Sequence, residues 1–160
     1  MRKINYIVIH ESDTPDGRPV TVRDIDSWHR DNGWRRSPAA KKVFNSSLTS
    51  IGYQYVIYLD GSVHTGRAES EIPAAVAGHN TDSINICLVG KGRYTHPQWA
   101  ALGDLVTDLT TRYPGASVWG HYQFDTAMAQ GKTCPDFPVE QWLAAGMQPP
   151  GGHLLELEPA

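Results

Sequence analysis

The stretch YQYVIYLDGSVHTG, Tyr53–Gly66, decides how the chain folds. Two runs rich in β-branched and aromatic residues flank Asp60-Gly61. That pair suits a tight turn, so the stretch predicts a β-hairpin. Working outward, YIVIH (6–10) reads as a short buried strand ending on a polar residue. INICLVG (84–90) reads as a central strand, and SVWGH (117–121) as a last short one that ends in His121.

Helices fill the intervals. Thr21 followed three positions later by Asp24 predicts a capped helix start, with Gly33 as the stop and Val22, Ile25 and Trp28 as its apolar face. Thr95 and Gln98 open a second helix, whose stripe is Trp99, Leu102, Leu105, Val106 and Leu109. PVEQWLAAG (138–146) predicts a short closing helix. AAVAGHNTDS (74–83) reads as loop. Trp34–Ser50 has no clean period and carries Arg35, Arg36, Lys41 and Lys42. It reads either as a solvated excursion or as a basic rim beside an anionic polymer. The order strand, helix, hairpin, strand, helix, strand, helix predicts an α/β fold with a single mixed central β-sheet and helices packed on it. Residues 1–146 form one domain in this reading, and 147–160 a Pro/Gly-rich tail.

Composition narrows the function. A chain of 160 residues with 40% hydrophobic and 19% charged residues is that of a globular domain with a real core. A net charge of −3 leaves no footprint for bulk nucleic-acid binding, and no apolar run is long enough to span a membrane. The basic start MRKINYIVIH has too short an apolar run for a signal peptide, so synthesis in the cytoplasm without an export signal is expected. Two cysteines make no disulfide framework. Cys87, inside INICLVG, reads as a small buried hydrophobe. Cys134 lies between Thr133 and Pro135 in a polar loop and has no such explanation.

The loop GHYQFDTAMAQGKTCPDFP (120–138) gathers His121, Lys132 and Cys134 among Gly and Pro. Catalytic zinc is commonly held by three protein ligands and a water, and His10, His121 and Cys134 would supply such a set. The spacing does not settle it. There is no H-E-x-x-H or Cys-x-x-Cys pair, and a histidine at a strand end is more often structural.

The order of four blocks says more: IVIH, then GYQYVIYLDGSVHTGR, then AGHNTDSINICLVG, then GHYQF and GKTCPDFP. Together, from Tyr6 to Trp142, they resemble the zinc-dependent N-acetylmuramoyl-L-alanine amidases, the superfamily of the amidase-type phage lysozymes and the peptidoglycan recognition proteins. The resemblance implies an amidase fold, a Zn2+ cofactor held by His10, His121 and Cys134, catalytic roles for Tyr53 and Lys132, and His79 lining the substrate cleft. It implies hydrolysis of the amide between N-acetylmuramic acid and L-alanine in peptidoglycan, by a phage or prophage endolysin. Such an enzyme is expected to act as a monomer, on the wall, after another protein has breached the membrane. The alternatives are a peptidoglycan-binding module without catalysis and a cytoplasmic wall-recycling amidase. Recognition members typically lack the cysteine, so Cys134 favours hydrolysis. Gln54 stands where a histidine often follows the tyrosine. Asn85 stands where SIG is usual, and Trp34–Ser50 is longer than in compact phage members. None of these departures is expected to touch a ligand.

Overall fold

In a computed structural model, which describes residues 1–158, five strands form one sheet. They are β1 (Tyr6–Glu11), β2 (Tyr55–Ile57), β3 (Val63–Thr65), β4 (Ser83–Leu88) and β5 (Ser117–Gly120), in the order β3-β2-β4-β1-β5. β1 runs parallel to β4 and β5, and β2 runs parallel to β4. The hairpin partner β3 is antiparallel to β2, which makes the sheet mixed as expected. All six residues of β4 are buried, the pattern of a strand covered on both faces.

The helices are α1 (Val22–Asp31), α2 (Pro38–Val43), α3 (His96–Arg112), α4 (Asp125–Ala129) and α5 (Val139–Ala144). Thr21 and Thr95 each form a capping box with the residue three positions on, satisfying backbone N–H groups that the helix itself leaves free. Among the described residues no helix is long and apolar enough to cross a membrane.

The pleat sends alternate residues to opposite faces. One face carries Ile7, Ile9, Ile57, Ile84, Ile86 and Leu88 against Trp99, Leu102, Val106 and Leu109 of α3 and Trp142 of α5. Fully burying each such aliphatic contributes about 1.5–3 kcal/mol, so this face holds the fold together. The other face is divided. Val56, Cys87 and Val89 pack with Ile25 of α1 and with Val20, Leu48 and Ile51. Val8 packs with Val76, Phe124 and Ala127 at the far end. His10, two residues beyond Val8 on β1, projects from this divided face.

Three local expectations change. Trp28 is 38% exposed, and α1 turns Ile25, Asp26 and His29 inward instead. Asp26 is buried because its carboxylate accepts the backbone N–H groups of Thr49, Ser50 and Ile51 at 3.2, 2.7 and 2.7 Å, a role invisible to a count of apolar residues. The aperiodic segment contains α2, capped by Ser37 with Pro38 in its first turn. None of the residues of α2 is buried, which explains the missing apolar period there. Arg36 is no rim cation. It is buried, paired with Glu71 at 2.7 Å, and donates to the Phe44, Asn45 and Leu48 carbonyls.

Residues 153–155 lie against the domain. The Tyr94 N–H and the Trp99 indole N–H both donate to the His153 carbonyl, and the Leu155 N–H donates to Tyr94.

Candidate metal centre

β1 carries His10 one residue before its end, at the register position of Cys87 on β4. β5 ends at Gly120, and His121 opens a short 3-10 turn. A Cβ on Gly120 would sit within 2.9 Å of Val139 and closer still to the Tyr122 ring, so only glycine lets the chain turn here. Cys134 arrives from the loop after α4. The Tyr122 N–H donates to the Cys134 carbonyl at 3.1 Å, which ties the two ends of that loop together. One donor atom each from His10, His121 and Cys134 lies within 4.8 Å of the others. The sequence placed these residues 13 to 124 positions apart; the sheet gathers them.

Burial keeps both imidazoles neutral and leaves the thiol protonated until a cation displaces its proton. His10 is fully enclosed, and burial together with neighbouring His121 lowers it to about 3. Burial, and then the Lys132 ammonium, lowers His121 to about 4. Both imidazoles are therefore neutral at pH 7, with a lone pair to give. Burial pushes the Cys134 thiol well up, while the Glu11 N–H points at its sulfur from 3.1 Å. A thiol of this kind ionises when a metal takes the proton's place. Two neutral imidazoles and one thiolate, with room left for water, are a donor set that suits zinc.

The three residues line a cleft of about 470 Å3 together with Tyr53, Lys132, Trp34, Glu11 and Asp136. The Tyr53 ring lies 5.0 Å from that of His10 and 5.2 Å from that of His29. Burial raises the Tyr53 phenol well above its usual value, so it keeps its proton at neutral pH and acts as a donor. The Lys132 N–H is fixed to the Ala127 carbonyl at 2.9 Å, and the side chain is exposed at the rim. Burial and the adjoining Asp136 carboxylate hold Glu11 up at about 9. Lys91 pairs with Asp13 at 2.7 Å on the cleft wall.

His79 is not among the residues lining this cleft. It lies beyond it, edge-on to Tyr6 at 5.2 Å and tilted against Phe124 at 4.9 Å. Trp34 and Glu11 line the cleft without having been singled out; a tryptophan beside a glycine and a glutamate after a strand histidine carry no motif. Asn85 was expected to stay clear of the ligands and does not. Its side-chain oxygen lies 2.7 Å from His10 Nε2. The parallel register that brings β4 against β1 makes this contact, and sequence separation hides it.

The fold and the cleft together define a hydrolase-like α/β domain of the peptidoglycan amidase type. The solved structures agree on the fold. The N-acetylmuramoyl-L-alanine amidase endolysin LysCS from Clostridium intestinale superposes with a TM-score of 0.71 at 24% identity, over 90% of this chain and 84% of that one. A point mutant of Drosophila PGRP-LB in complex with tracheal cytotoxin gives 0.65 at 21% identity, over 98% and 86%. The family model described as N-acetylmuramoyl-L-alanine amidase matches residues 1–137, and the chain belongs to that family. Among relatives, the endolysin of Escherichia phage T7 is 31% identical over 144 residues, 85% of this chain and 83% of that protein. The endolysin of Klebsiella phage KP32 is 30% identical over 149 residues, 88% and 86%.

Proposed function

We propose that this amidase is a zinc-dependent endolysin, with His10, His121 and Cys134 as the metal ligands and Tyr53 and Lys132 as the catalytic side chains. The observation that carries the reading is the convergence of two neutral imidazoles and one cysteine at the floor of a cleft that Tyr53 and Lys132 also line. When bound, zinc supplies a Lewis acid that acidifies water and polarises an amide carbonyl.

The substrate bond joins the lactyl carboxyl of N-acetylmuramic acid to the amine of L-alanine. Hydrolysis puts the water oxygen on the lactyl carbon and a proton on the alanine nitrogen. The carbonyl oxygen gains negative charge on the way. The Lys132 ammonium and the neutral Tyr53 hydroxyl are donors suited to that charge. The leaving amine needs a proton, and both groups have one to give. Trp34 offers the cleft an aromatic wall for a sugar or peptide plane. His79, set beyond the cleft, fits a longer substrate that runs past the reacting bond. Synthesis in the cytoplasm and action on the wall as a monomer complete the reading.

The test is chemical. Purified protein digesting peptidoglycan should release new L-alanine amino termini and no new reducing sugar ends. Chelation should stop the reaction and zinc restore it. Tyr53→Phe and Lys132→Ala should each lower turnover about 10²–10³-fold while the fold and one bound zinc persist. Loss of metal in either variant would assign that residue to the scaffold instead.

A further inference from the structure

We propose that Asn85 orients the His10 ring for metal binding and that Gln54 holds Asn85 in place, an inference that rests on the metal reading above. Asn85 lies on β4 and is fully buried. Its Oδ1, 2.7 Å from His10 Nε2, accepts only, so Nε2 carries the ring proton. The lone pair is then on Nδ1, free for a metal. A histidine ligand binds best when its other nitrogen is fixed in this way.

Every other polar atom of Asn85 is also engaged. Nδ2 donates to Ser83 Oγ at 2.9 Å, which sets the direction of the carboxamide. The backbone N–H donates to Gln54 Oε1 at 2.9 Å, and the Asn85 carbonyl accepts from the Gln54 N–H at 3.0 Å. Gln54 is buried as well, and its Nε2 donates to the Glu71 carbonyl at 3.1 Å. Glu71 is in turn gripped by Arg36 at 2.7 and 2.9 Å. Hydrogen bonds, joined through the covalent frames of Glu71 and Asn85, thus link the Arg36–Glu71 pair through Gln54 and Asn85 to the ring.

Gln54 and Asn85 are two of the positions at which this sequence departs from its family pattern. Here they touch each other. The strand N–H at position 85 needs a partner, and the Gln54 side chain supplies one. The two departures form a single polar unit, and its far end is a metal ligand. Asn85 is therefore a positioning residue for the reaction.

The experiment compares wild type with Asn85→Leu, Asn85→Asp and Gln54→Leu. Zinc affinity is read by competition with a chromogenic chelator, and the His10 tautomer of the zinc-free protein by 1H–15N NMR. Wild type should bind one zinc and show the Nε2–H form. Asn85→Leu should bind zinc about 10–100-fold more weakly and populate the Nδ1–H form. Asn85→Asp, which keeps an acceptor, should stay within about threefold of wild type, and Gln54→Leu should fall between. A folded Asn85→Leu protein with unchanged zinc affinity and tautomer overturns the proposal. Should that variant not fold, an Nδ1–H His10 in the zinc-free wild type, or wild-type affinity in Gln54→Leu, overturns it equally. A wild type that takes up no zinc breaks the metal reading instead, and the tautomer still tests the contact.

Discussion

The two faces of the sheet do opposite work. The face under α3 and α5 is a continuous apolar layer, with Ile7, Ile9, Ile84 and Ile86 meeting Leu102, Val106 and Trp142. The opposite face is broken into two smaller clusters, one with Ile25 and Val56, the other with Val8 and Phe124. His10 projects from this face and Asn85 bonds to it, both buried. Buried polar groups in a continuous apolar layer would cost stability. Dividing the core makes room for them and leaves the intact face to hold the fold. Stability and chemistry are thereby assigned to different sides of the same five strands.

The largest effect that could break this division is at the metal ligands. Cys134→Ser should reduce release of L-alanine termini by more than about a hundredfold, with little change in the melting temperature of the zinc-free protein. If activity survives, the divided face is not the reacting one. Next in size is a change on the intact face. Leu102→Ala should lower unfolding free energy by about 2–5 kcal/mol in denaturant titration and leave turnover per folded molecule unchanged. A loss of turnover would show that the two faces are coupled.

The smallest effect sharpens the contrast through pH. Burial holds His10 at about 3, and His29 and His121 at about 4, all below the ordinary value of 6.5. Their neutral forms are kept in the fold, while the unfolded chain takes up protons below about 6.5. The zinc-free protein should be at full strength from these groups above pH 6.5. It should weaken as pH falls toward 4.5, by about 2–3 kcal/mol from His10 alone, with His29 adding to this and the part-exposed His121 adding less. Chemical denaturation at pH 7 and pH 4.5 reads this directly. Glu11, held at about 9 by burial and Asp136, works the other way over this window. The comparison is therefore made in a Glu11→Gln background, where unchanged stability would mean that the site-bearing face opens to solvent in the folded state.

Much of the architecture was legible beforehand. The Asp60-Gly61 hairpin, the Thr21 and Thr95 capping boxes, and the strand signals at Tyr6 and Ile84 are local patterns, and local patterns survive into the fold. The α1 face was misread because Trp28 is apolar and Asp26 is charged, yet tertiary hydrogen bonds bury the aspartate. Arg36 was misread for the same reason. An arginine among other cations in an aperiodic segment looks solvated until three carbonyls of the same segment and the Glu71 carboxylate surround it. The likeness to the amidases named His10, His121 and Cys134; their convergence to within 4.8 Å is a property of the folded chain.

The sequence by itself determined the strands, the caps, the mixed α/β class and the residue types able to bind zinc, because each depends on neighbours a few positions away. Only the tertiary structure decided which side chains meet. The register of β4 against β1 and β2 sets Asn85 between His10 and Gln54, across separations of 75 and 31 residues. Such contacts follow from strand pairing over the whole sheet, and no local pattern encodes them.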